Sequence, residues 1–466
     1  MARSRDRVLI IGLGGVGMHL AKRLLDEGSD VSILESDPEL VEEAQISLEA
    51  DVRLGNAMRV ASWKAVRAEE MDYVIAATND DATNMMSALI ADRFNIKRKI
   101  ARVRSLEFDA GSVLPPELLK IDLMVHPEEL VAKEIEQLTK RASCNDLTDV
   151  GDGNMQVLAL RVREDSLLSG QTPRELAMQY QTFDFRIVAL ARGITTTIPQ
   201  AETVIQPGDQ VFILARTEDM PQLMSLMDLQ QNAVNRLLIL GGGLIGKRVA
   251  ELLQRSVEVR LIERDARAAE ELAAQLPYTQ VLNGDGTDLN TLINAGILDS
   301  STFIATTGDN ETNIISCLLA KHLMNRDNRD HSGEKGKTIA LVNKEDLLVL
   351  ASTIGLDIAL NVKISAANEI LKFIRRNELL AVAHLHGVDA EVVELVAKEN
   401  SPITKRPLRK LASYFQDHQI LIGGVKHDGY WSVAVGGTHV QVGDRVIAVC
   451  TSRHLSEVRR LLSGSE

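Results

Sequence analysis

Short apolar runs alternate with segments of helical periodicity along the first 125 residues of the chain. The runs at 8–13, 31–34, 52–54, 73–77, 99–103 and 123–125 predict six buried strands. Apolar residues recur every three or four positions at 16–25, 40–48 and 82–94, which predicts helices between the strands. Strand–helix alternation with apolar strands is typical of a parallel sheet covered by helices on both faces.

The same pattern occurs a second time in the chain. LIIGLGGVG at 9–17 matches LILGGGLIG at 238–246, and VSILESD at 31–37 matches VRLIERD at 259–265. The long block at 74–94 matches 303–323, and the spacing between matching blocks is nearly constant. The chain is therefore a duplication, and both copies are expected to share one architecture.

A helix and a differently patterned region follow each copy. Helical periodicity continues at 127–141 and 364–376, and short alternating runs with turn residues follow at 155–216 and 390–450. The fold predicted is α/β, with two Rossmann-like doubly wound parallel sheet domains at 1–141 and 234–377. A small α+β C-terminal lobe is expected after each, at 145–230 and 380–466. The polar segment 325–337 interrupts the second copy and is predicted to be a mobile surface loop.

The apolar faces of the two helices that follow the sheets, at 127–141 and 364–376, allow two interpretations. They fit exchange or assembly contacts, and ordinary core packing explains them equally well.

Composition removes several classes of function. The 466 residues carry a formal net charge of −13, which disfavours binding to nucleic acid or to an anionic lipid surface. Aromatic residues make up only 3% of the chain, which leaves few side chains to stack on bases. No apolar run approaches the length of a membrane span, and the three cysteines form no CxxC pair. We expect no nucleic-acid partner, no direct lipid anchor and no metal site.

A glycine motif opens each copy of the sheet pattern. Gly12, Gly14 and Gly17 form GxGxxG between a strand and a helix, where the three glycines permit a tight turn, approach of a pyrophosphate and close helix–strand packing. Glu35 ends the next strand, where a carboxylate accepts hydrogen bonds from ribose hydroxyls and repels a 2′-phosphate, so NAD is favoured over NADP. The second copy repeats the arrangement with Gly241, Gly243, Gly246 and Glu263. ATP and ADP share the ribose and the diphosphate with NAD, so both are alternative ligands at either site.

Residues at the carboxyl ends of two further strands are weaker candidates. Thr78, Asn79 and Asp80 follow the fourth strand, as Thr307, Gly308 and Asp309 do in the second copy, and they fit ligand binding or helix capping equally well. Arg102 ends the fifth strand, where its side chain fits a phosphate contact or an ordinary surface ion pair. Leu341 stands at the matching position, so the two sites are expected to differ.

Two classes of function fit these motifs. An NAD-dependent oxidoreductase needs a catalytic acid or base near the nicotinamide, and the best placed histidine, His126, stands at a helix start that favours a structural role. A regulatory sensor needs only two conformations that bind the nucleotide differently, which four linked lobes could provide.

The chain resembles the regulator-of-potassium-conductance family (RCK, or KTN), in the tandem arrangement of the regulatory subunits of bacterial Trk potassium-uptake systems. The resemblance rests on GLGGVG with Glu35, AATNDDATN at 76–84, ARVR at 101–104, VHPEELVAKEI at 125–135 and KFIRR at 372–376. SLLSGQTPREL at 166–176 and PGDQVFILA at 207–215 carry it into the first small lobe.

This resemblance implies a regulatory protein that is not an enzyme. It implies a cytoplasmic homo-oligomeric ring, held at the inner face of the cell membrane by a Trk-type potassium-translocating integral membrane protein. Bound NAD(H), or ATP or ADP, would bias the ring between conformations that open or close the channel.

The resemblance also implies which residues bind the nucleotide. In the first domain these are Gly12, Leu13, Gly14, Gly15, Val16, Gly17, Glu35, Thr78, Asn79 and Arg102. In the second they are Gly241, Gly242, Gly243, Leu244, Ile245, Gly246 and Glu263. Three departures from the family pattern leave open the ligand of the second site and the choice between NAD and ATP. Asn56 stands where the family commonly has a carboxylate after the third strand (Asp285 in the second copy), Leu341 replaces the arginine, and the 325–337 segment is enlarged.

Overall fold

The computed structural model describes residues 6–463, except 110, 141–145, 182, 194, 228–235, 326–335, 376–380 and 386–387. These residues form two compact units. Unit 1 comprises Met1–Val131 with Val362–Arg375, and unit 2 comprises Ala132–Asn361 with Arg376–Glu466. Most of the predicted surface loop at 325–337 lies outside the described residues. The four predicted domain boundaries stay a prediction.

Unit 1 contains a six-stranded parallel sheet in the order β3-β2-β1-β4-β5-β6. Its strands are β1 (Arg7–Ile11), β2 (Asp30–Glu35), β3 (Asp51–Leu54), β4 (Tyr73–Ala76), β5 (Arg98–Arg102) and β6 (Leu123–Val125). The helices that follow these strands are α1 (Gly15–Asp26), α2 (Pro38–Ser47), α3 (Val60–Ala65), α4 (Asp81–Arg93) and α5 (Pro127–Lys140). The predicted strands and helices are confirmed to within two residues at each end, and the short helix α3 was not predicted.

A helix from the far end of the second copy completes unit 1. Helix α13 (Val362–Arg375) presents apolar residues at helical spacing, and these lie in the same core as side chains of α1 and β6. The buried residues of α13 in this core are Ala366, Ala367, Ile370, Leu371 and Ile374. Of the two interpretations open for this helix, the structure shows exchange within the chain. The helix that follows the second sheet in sequence packs on the first domain.

Unit 2 contains the second parallel sheet, in the matching order β14-β13-β12-β15-β16-β17. Its strands are β12 (Arg236–Leu240), β13 (Glu258–Glu263), β14 (Thr279–Asn283), β15 (Thr302–Ala305), β16 (Lys337–Leu341) and β17 (Ile358–Leu360). Its helices are α8 (Leu244–Leu253), α9 (Ala266–Gln275), α10 (Leu289–Asn294), α11 (Asn310–Asn325) and α12 (Glu345–Thr353). Helix α5 continues into this unit, where Lys337 Nζ donates a hydrogen bond to the carbonyl oxygen of Leu138 at 3.0 Å.

Two five-stranded antiparallel sheets also belong to unit 2, and they confirm the α+β lobes. The first has the order β10-β9-β11-β8-β7 and the second β18-β19-β22-β20-β21. The first lobe consists of β7 (Asp146–Val150), β8 (Met155–Arg161), α6 (Pro173–Gln179), β9 (Phe185–Arg192), β10 (Thr195–Thr197), β11 (Gln210–Arg216) and α7 (Met220–Leu226). The second consists of β18 (Ala381–His384), β19 (Glu391–Val396), α14 (Ala412–Asp417), β20 (Ile420–His427), β21 (Tyr430–Val433), β22 (Arg445–Cys450) and α15 (Leu455–Ser463).

The two lobes share one apolar core. Met155, Phe212 and Leu214 of the first lobe lie in the same buried cluster as Trp431 and Ile447 of the second. Polar contacts surround this core: Arg186 Nη1 donates to the carbonyl oxygen of Ala434 at 2.8 Å, and Arg445 Nη1 to the Asp152 carboxylate at 2.6 Å. Among the helices described, none combines the length and the apolar character that crossing a membrane requires.

Candidate functional site

Two of the three glycines in the first motif are required by the fold itself. Gly12 has a φ of +94°, and a Cβ at this position would lie within 3.0 Å of the Thr78 backbone. A Cβ on Gly17 would collide with the carbonyl oxygen of Gly12, because here α1 lies directly against the end of β1. Gly241 and Gly246 repeat both constraints in the second copy. These positions therefore hold glycine whether or not a ligand binds.

The middle glycine is different, because nothing in the fold requires it. Gly14 precedes α1 with an ordinary φ of −57°, and a Cβ there would meet no atom within 4 Å. Helix α1 has no side-chain cap and no acidic residue in its first turn, whereas Asp37 and Asp80 cap α2 and α4. No side chain caps the first N–H groups of α1, and space lies open beside Gly14, which is the arrangement that binds phosphate at helix N-termini.

Helix α8 begins in the same way in the second copy. Gly243 precedes it, a Cβ on Gly243 would meet no atom within 4 Å, and the helix start has neither a side-chain cap nor an acidic residue in its first turn. Both motifs therefore leave space in front of an uncapped helix.

The acidic partner of each motif lies against its glycine loop. The Glu35 side chain, only 8% exposed, accepts hydrogen bonds from the backbone N–H groups of Leu13, Ser36 and Asp37. Glu263 accepts from the N–H groups of Gly242 at 2.8 Å and Asp265 at 2.9 Å. These bonds fix both carboxylates beside the helix start. A carboxylate has about four acceptor positions, so such a group can also accept from the hydroxyls of a ribose.

The loop after β4 is held by a fully buried asparagine that the sequence reasoning missed. Asn84 Oδ1 accepts from the N–H and hydroxyl of Thr78, and Nδ2 donates to the carbonyl oxygens of Thr78 and Arg102. Asn313 makes the same four bonds in the second copy, to Thr307 and Leu341. The sequence did contain a signal for this residue, because asparagine occurs at the same position in both matching blocks, as Asn84 and as Asn313.

Asp80 and Asp309 are helix caps. Asp80 accepts from the Thr83 N–H at 2.8 Å and Asp309 from the Thr312 N–H at 2.7 Å. Hydrogen bonds from the side-chain hydroxyls of Thr83 and Thr312, and then those from their backbone N–H groups, lower the pKa of both carboxyls below the ordinary aspartate value. The capping interpretation therefore accounts for the two aspartates.

Arg102 connects the ends of β4 and β5. Its side chain is buried, and Nη1 donates to the carbonyl oxygen of Thr78 at 3.1 Å and to Asn79 Oδ1 at 2.9 Å. Burial, and then the charge of Arg104, lower the pKa of Arg102. Its Nε is buried and has no hydrogen-bond partner among the described residues. Leu341, buried and apolar, stands at the matching position, so this edge of the sheet carries a cation only in the first copy.

His126 connects two backbone elements. Its Nδ1 lies 2.7 Å from the carbonyl oxygen of Val103, so this nitrogen carries the proton and donates. The ring is buried just before α5 begins. In the described part of the chain, no cluster of three or more His, Cys, Asp or Glu side chains has the arrangement of a metal site.

Family models match both sheet domains and the first lobe. The TrkA-N domain model matches residues 8–127 and 237–362, and the TrkA-C domain model matches 157–228. The chain is 29% identical over 458 residues to the Trk system potassium uptake protein TrkA of Halomonas elongata, covering 98% of each chain. It is 27% identical over 463 residues to the protein of the same name from Vibrio alginolyticus, covering 98% of this chain and 99% of that one.

Solved structures share the fold along the whole chain. The crystal structure of the GsuK RCK domain superposes with a TM-score of 0.58 at 20% identity, covering all of this chain and 96% of that one. The GsuK channel bound to NAD has the same TM-score and identity, and the match covers all of this chain and 80% of the channel.

Proposed function

Since this chain belongs to the TrkA family, we propose that it is the nucleotide-binding regulatory subunit of a potassium-uptake system. Nucleotide binding shifts a conformational equilibrium of the protein, and this shift gates a potassium-translocating integral membrane protein of the Trk type. The protein acts in the cytoplasm as a homo-oligomeric ring of RCK units, at the inner face of the membrane through its protein partner. No chemistry is performed on the nucleotide.

One observation carries the nucleotide-binding part of this proposal. In both copies a glycine that the fold does not need precedes an uncapped helix, and a carboxylate is fixed beside the loop. Together these groups match a diphosphate and an adjoining ribose. NAD(H) is the ligand proposed for the first site, through the residues named above from Gly12 to Arg102. Either NAD(H) or ATP or ADP fits the second site, which lacks the arginine.

The position of α13 supports the regulatory part. This helix follows the second sheet in sequence, yet it packs in the core of unit 1 against α1, the helix that begins at the nucleotide site. A ligand that stabilises α1 therefore also affects a helix connected covalently to the other half of the chain. Regulation requires this kind of dependence, in which a ligand binds two conformations with different affinities.

Potassium uptake in cells that lack the chain tests this function. We expect uptake to fall on deletion, to recover with the wild-type chain, and the tagged chain to co-purify with an integral membrane protein. We also expect nucleotide binding without turnover. Normal uptake in the deletion strain, or hydride transfer at enzymatic rates, would contradict the proposal.

Replacement of Glu35 by alanine is expected to weaken nucleotide binding at the first site about ten- to hundredfold. The expected loss is that of a hydrogen bond between a ribose hydroxyl and a charged acceptor, which contributes about 1.5–3 kcal/mol. Calorimetric titration with NAD, in a Glu263→Ala background that isolates the first site, measures the effect. Glu42→Ala is the control, because Glu42 is an exposed carboxylate on the adjacent helix α2. An unchanged titration for Glu35→Ala would show that the ribose is held by other groups.

A further inference from the structure

Each C-terminal lobe has a tight turn that ends on a buried aspartate. The turns are 206–209, before β11, and 441–444, before β22, and the aspartates are Asp209 and Asp444. Oδ2 of each aspartate accepts from the backbone N–H three residues earlier at 2.8 Å. The carbonyl oxygen of each also accepts from a backbone N–H at 2.8 Å. The two carboxylates therefore occupy equivalent positions in the two lobes.

The side chain that binds each aspartate differs between the lobes. Arg192, the last residue of β9, donates to Asp209 from Nε at 2.8 Å and from Nη2 at 2.7 Å. His427 is the last residue of β20, and its Nδ1 lies 2.8 Å from Asp444 Oδ1. Strands β9 and β20 have eight residues each and pair with β11 and β22, so His427 occupies the place of the arginine. A guanidinium keeps its charge at physiological pH, whereas an imidazole gains and loses a proton in this range.

A second carboxylate lies on the other side of the His427 ring. Asp428 Oδ2 is 3.4 Å from Nε2, so the ring stands between Asp428 and Asp444. Only a protonated ring donates from both nitrogens, because a neutral ring would direct a lone pair at one of the carboxylates. Asp444 and then Asp428 raise the pKa of His427 above the ordinary histidine value. Tyr430, which pairs with His427 across the hairpin, is another titratable residue beside it.

The turn that contains Asp444 is joined directly to a contact between the two lobes. Arg445 follows Asp444, and its Nη1 donates to the carboxylate of Asp152 in the first lobe at 2.6 Å. Lys426, which precedes His427, has its Nζ 3.8 Å from the same carboxylate. A movement of the turn would therefore also move the arginine that binds the first lobe.

We propose that the His427–Asp444 pair is a proton-binding site that strengthens the second lobe, and its contact with the first, as the pH falls. The stabilisation is complete below the pKa of histidine in the unfolded chain, about 6.5, and is lost as the pH rises through the higher pKa of the folded protein. The Arg192–Asp209 pair keeps its charge throughout this range. The proton is then an input separate from the nucleotide sites, and this inference does not depend on nucleotide binding.

Urea unfolding of the full-length chain at about pH 6 and pH 8 tests the proposal. A Trp63→Phe background leaves Trp431 as the sole tryptophan, and Trp431 lies in the core that the two lobes share. We expect the unfolding midpoint of the parent to be lower at pH 8. In His427→Arg the charge persists, and at least about half of this pH dependence should disappear. Groups of the chain that titrate elsewhere are common to all variants.

Two further variants approach the same site from different sides. Asp444→Asn removes the acceptor charge and should lose the same part of the pH dependence, which gives a second measure if His427→Arg does not fold. Arg192→His places a titratable pair in the first lobe and should enlarge the pH dependence by a similar amount.

His439→Gln is the matched control, since His439 is an exposed histidine of the same lobe whose Nε2 lies 3.0 Å from the backbone carbonyl oxygen of Thr404. It should leave the difference between the two midpoints unchanged. An equal pH dependence in the parent, His427→Arg and Asp444→Asn would overturn the proposal. That result would not affect the proposed function, which the uptake and nucleotide-binding experiments test.

Discussion

Replacement of Gly17 by alanine is expected to destabilise unit 1 by about 2–3 kcal/mol and to abolish nucleotide binding at the first site. The added methyl group would collide with the carbonyl oxygen of Gly12. The backbone of Gly12 cannot easily move away from the new methyl group. Its N–H donates to the carbonyl oxygen of Leu34 at 3.0 Å, and its φ is already +94°. The start of α1 would have to move away from β1, and the helix N-terminus that binds phosphate would move with it.

The fluorescence of Trp63 during urea unfolding measures this effect. The chain has only two tryptophans, and Trp63 is fully buried in unit 1, where its Nε1 donates to the carbonyl oxygen of Ala57 at 2.7 Å. A Trp431→Phe background leaves Trp63 as the sole tryptophan reporter. Gly14→Ala is the control: no atom lies near its new methyl group, so we expect a loss of stability below about 1 kcal/mol. Equal destabilisation by the two substitutions would show that the close helix–strand contact at Gly17 does not cause the loss of stability.

Replacement of Arg375 by alanine is expected to destabilise unit 1 by about 3–5 kcal/mol. The Arg375 side chain is 2% exposed, and its Nη2 and Nε bind the two oxygens of the Glu27 carboxylate at the end of α1. Removal of the guanidinium takes the Arg375 charge away from a largely buried carboxylate. The last turn of α13 would then separate from α1, which hydrogen exchange of residues 362–375 and Trp63 fluorescence can both detect.

A double variant separates the ion pair from general packing. Glu27→Gln with Arg375→Met removes both charges, and we expect it to recover much of the stability lost in Arg375→Ala, because the cost comes mainly from the unpaired charge. Lys344→Ala breaks the exposed pair with Glu311 and should cause no measurable change. If the double variant were as unstable as the single one, the contribution of Arg375 would lie in its packing.

Local patterns of apolar residues predicted the strands and helices well, because the pattern of each segment reflects how much of that segment is buried. Buried parallel strands read as continuous apolar runs, and every strand predicted in the first domain lies within two residues of its observed bounds. The motif GxGxxG likewise located the candidate site. It could not separate Gly17, which the helix–strand contact requires, from Gly14, which the fold leaves free.

The pattern of apolar and polar residues did not predict contacts between residues that are far apart in the sequence. The apolar spacing of Ala366, Ile370 and Ile374 identifies a buried face of α13, but it does not say which sheet covers that face. Asn84 is polar and lies in a helix, where such a residue is expected to be exposed, yet it is fully buried and joins two loops. The aliphatic chain of Lys363 also lies against Gly15. This contact depends on the same helix exchange, so no local sequence pattern predicts it.

The shared core of the two lobes also means that the first lobe is synthesised well before the residues that complete its core. Phe212 and Leu214 are synthesised more than 200 residues before Trp431 and Ile447, the side chains that cover them. At the usual 5–20 residues per second, the ribosome needs roughly 10–45 s to make the intervening chain. During that interval the first lobe has an apolar sheet face without its final partner. The nascent chain must therefore remain soluble, alone or bound to a chaperone, until its last hundred residues emerge.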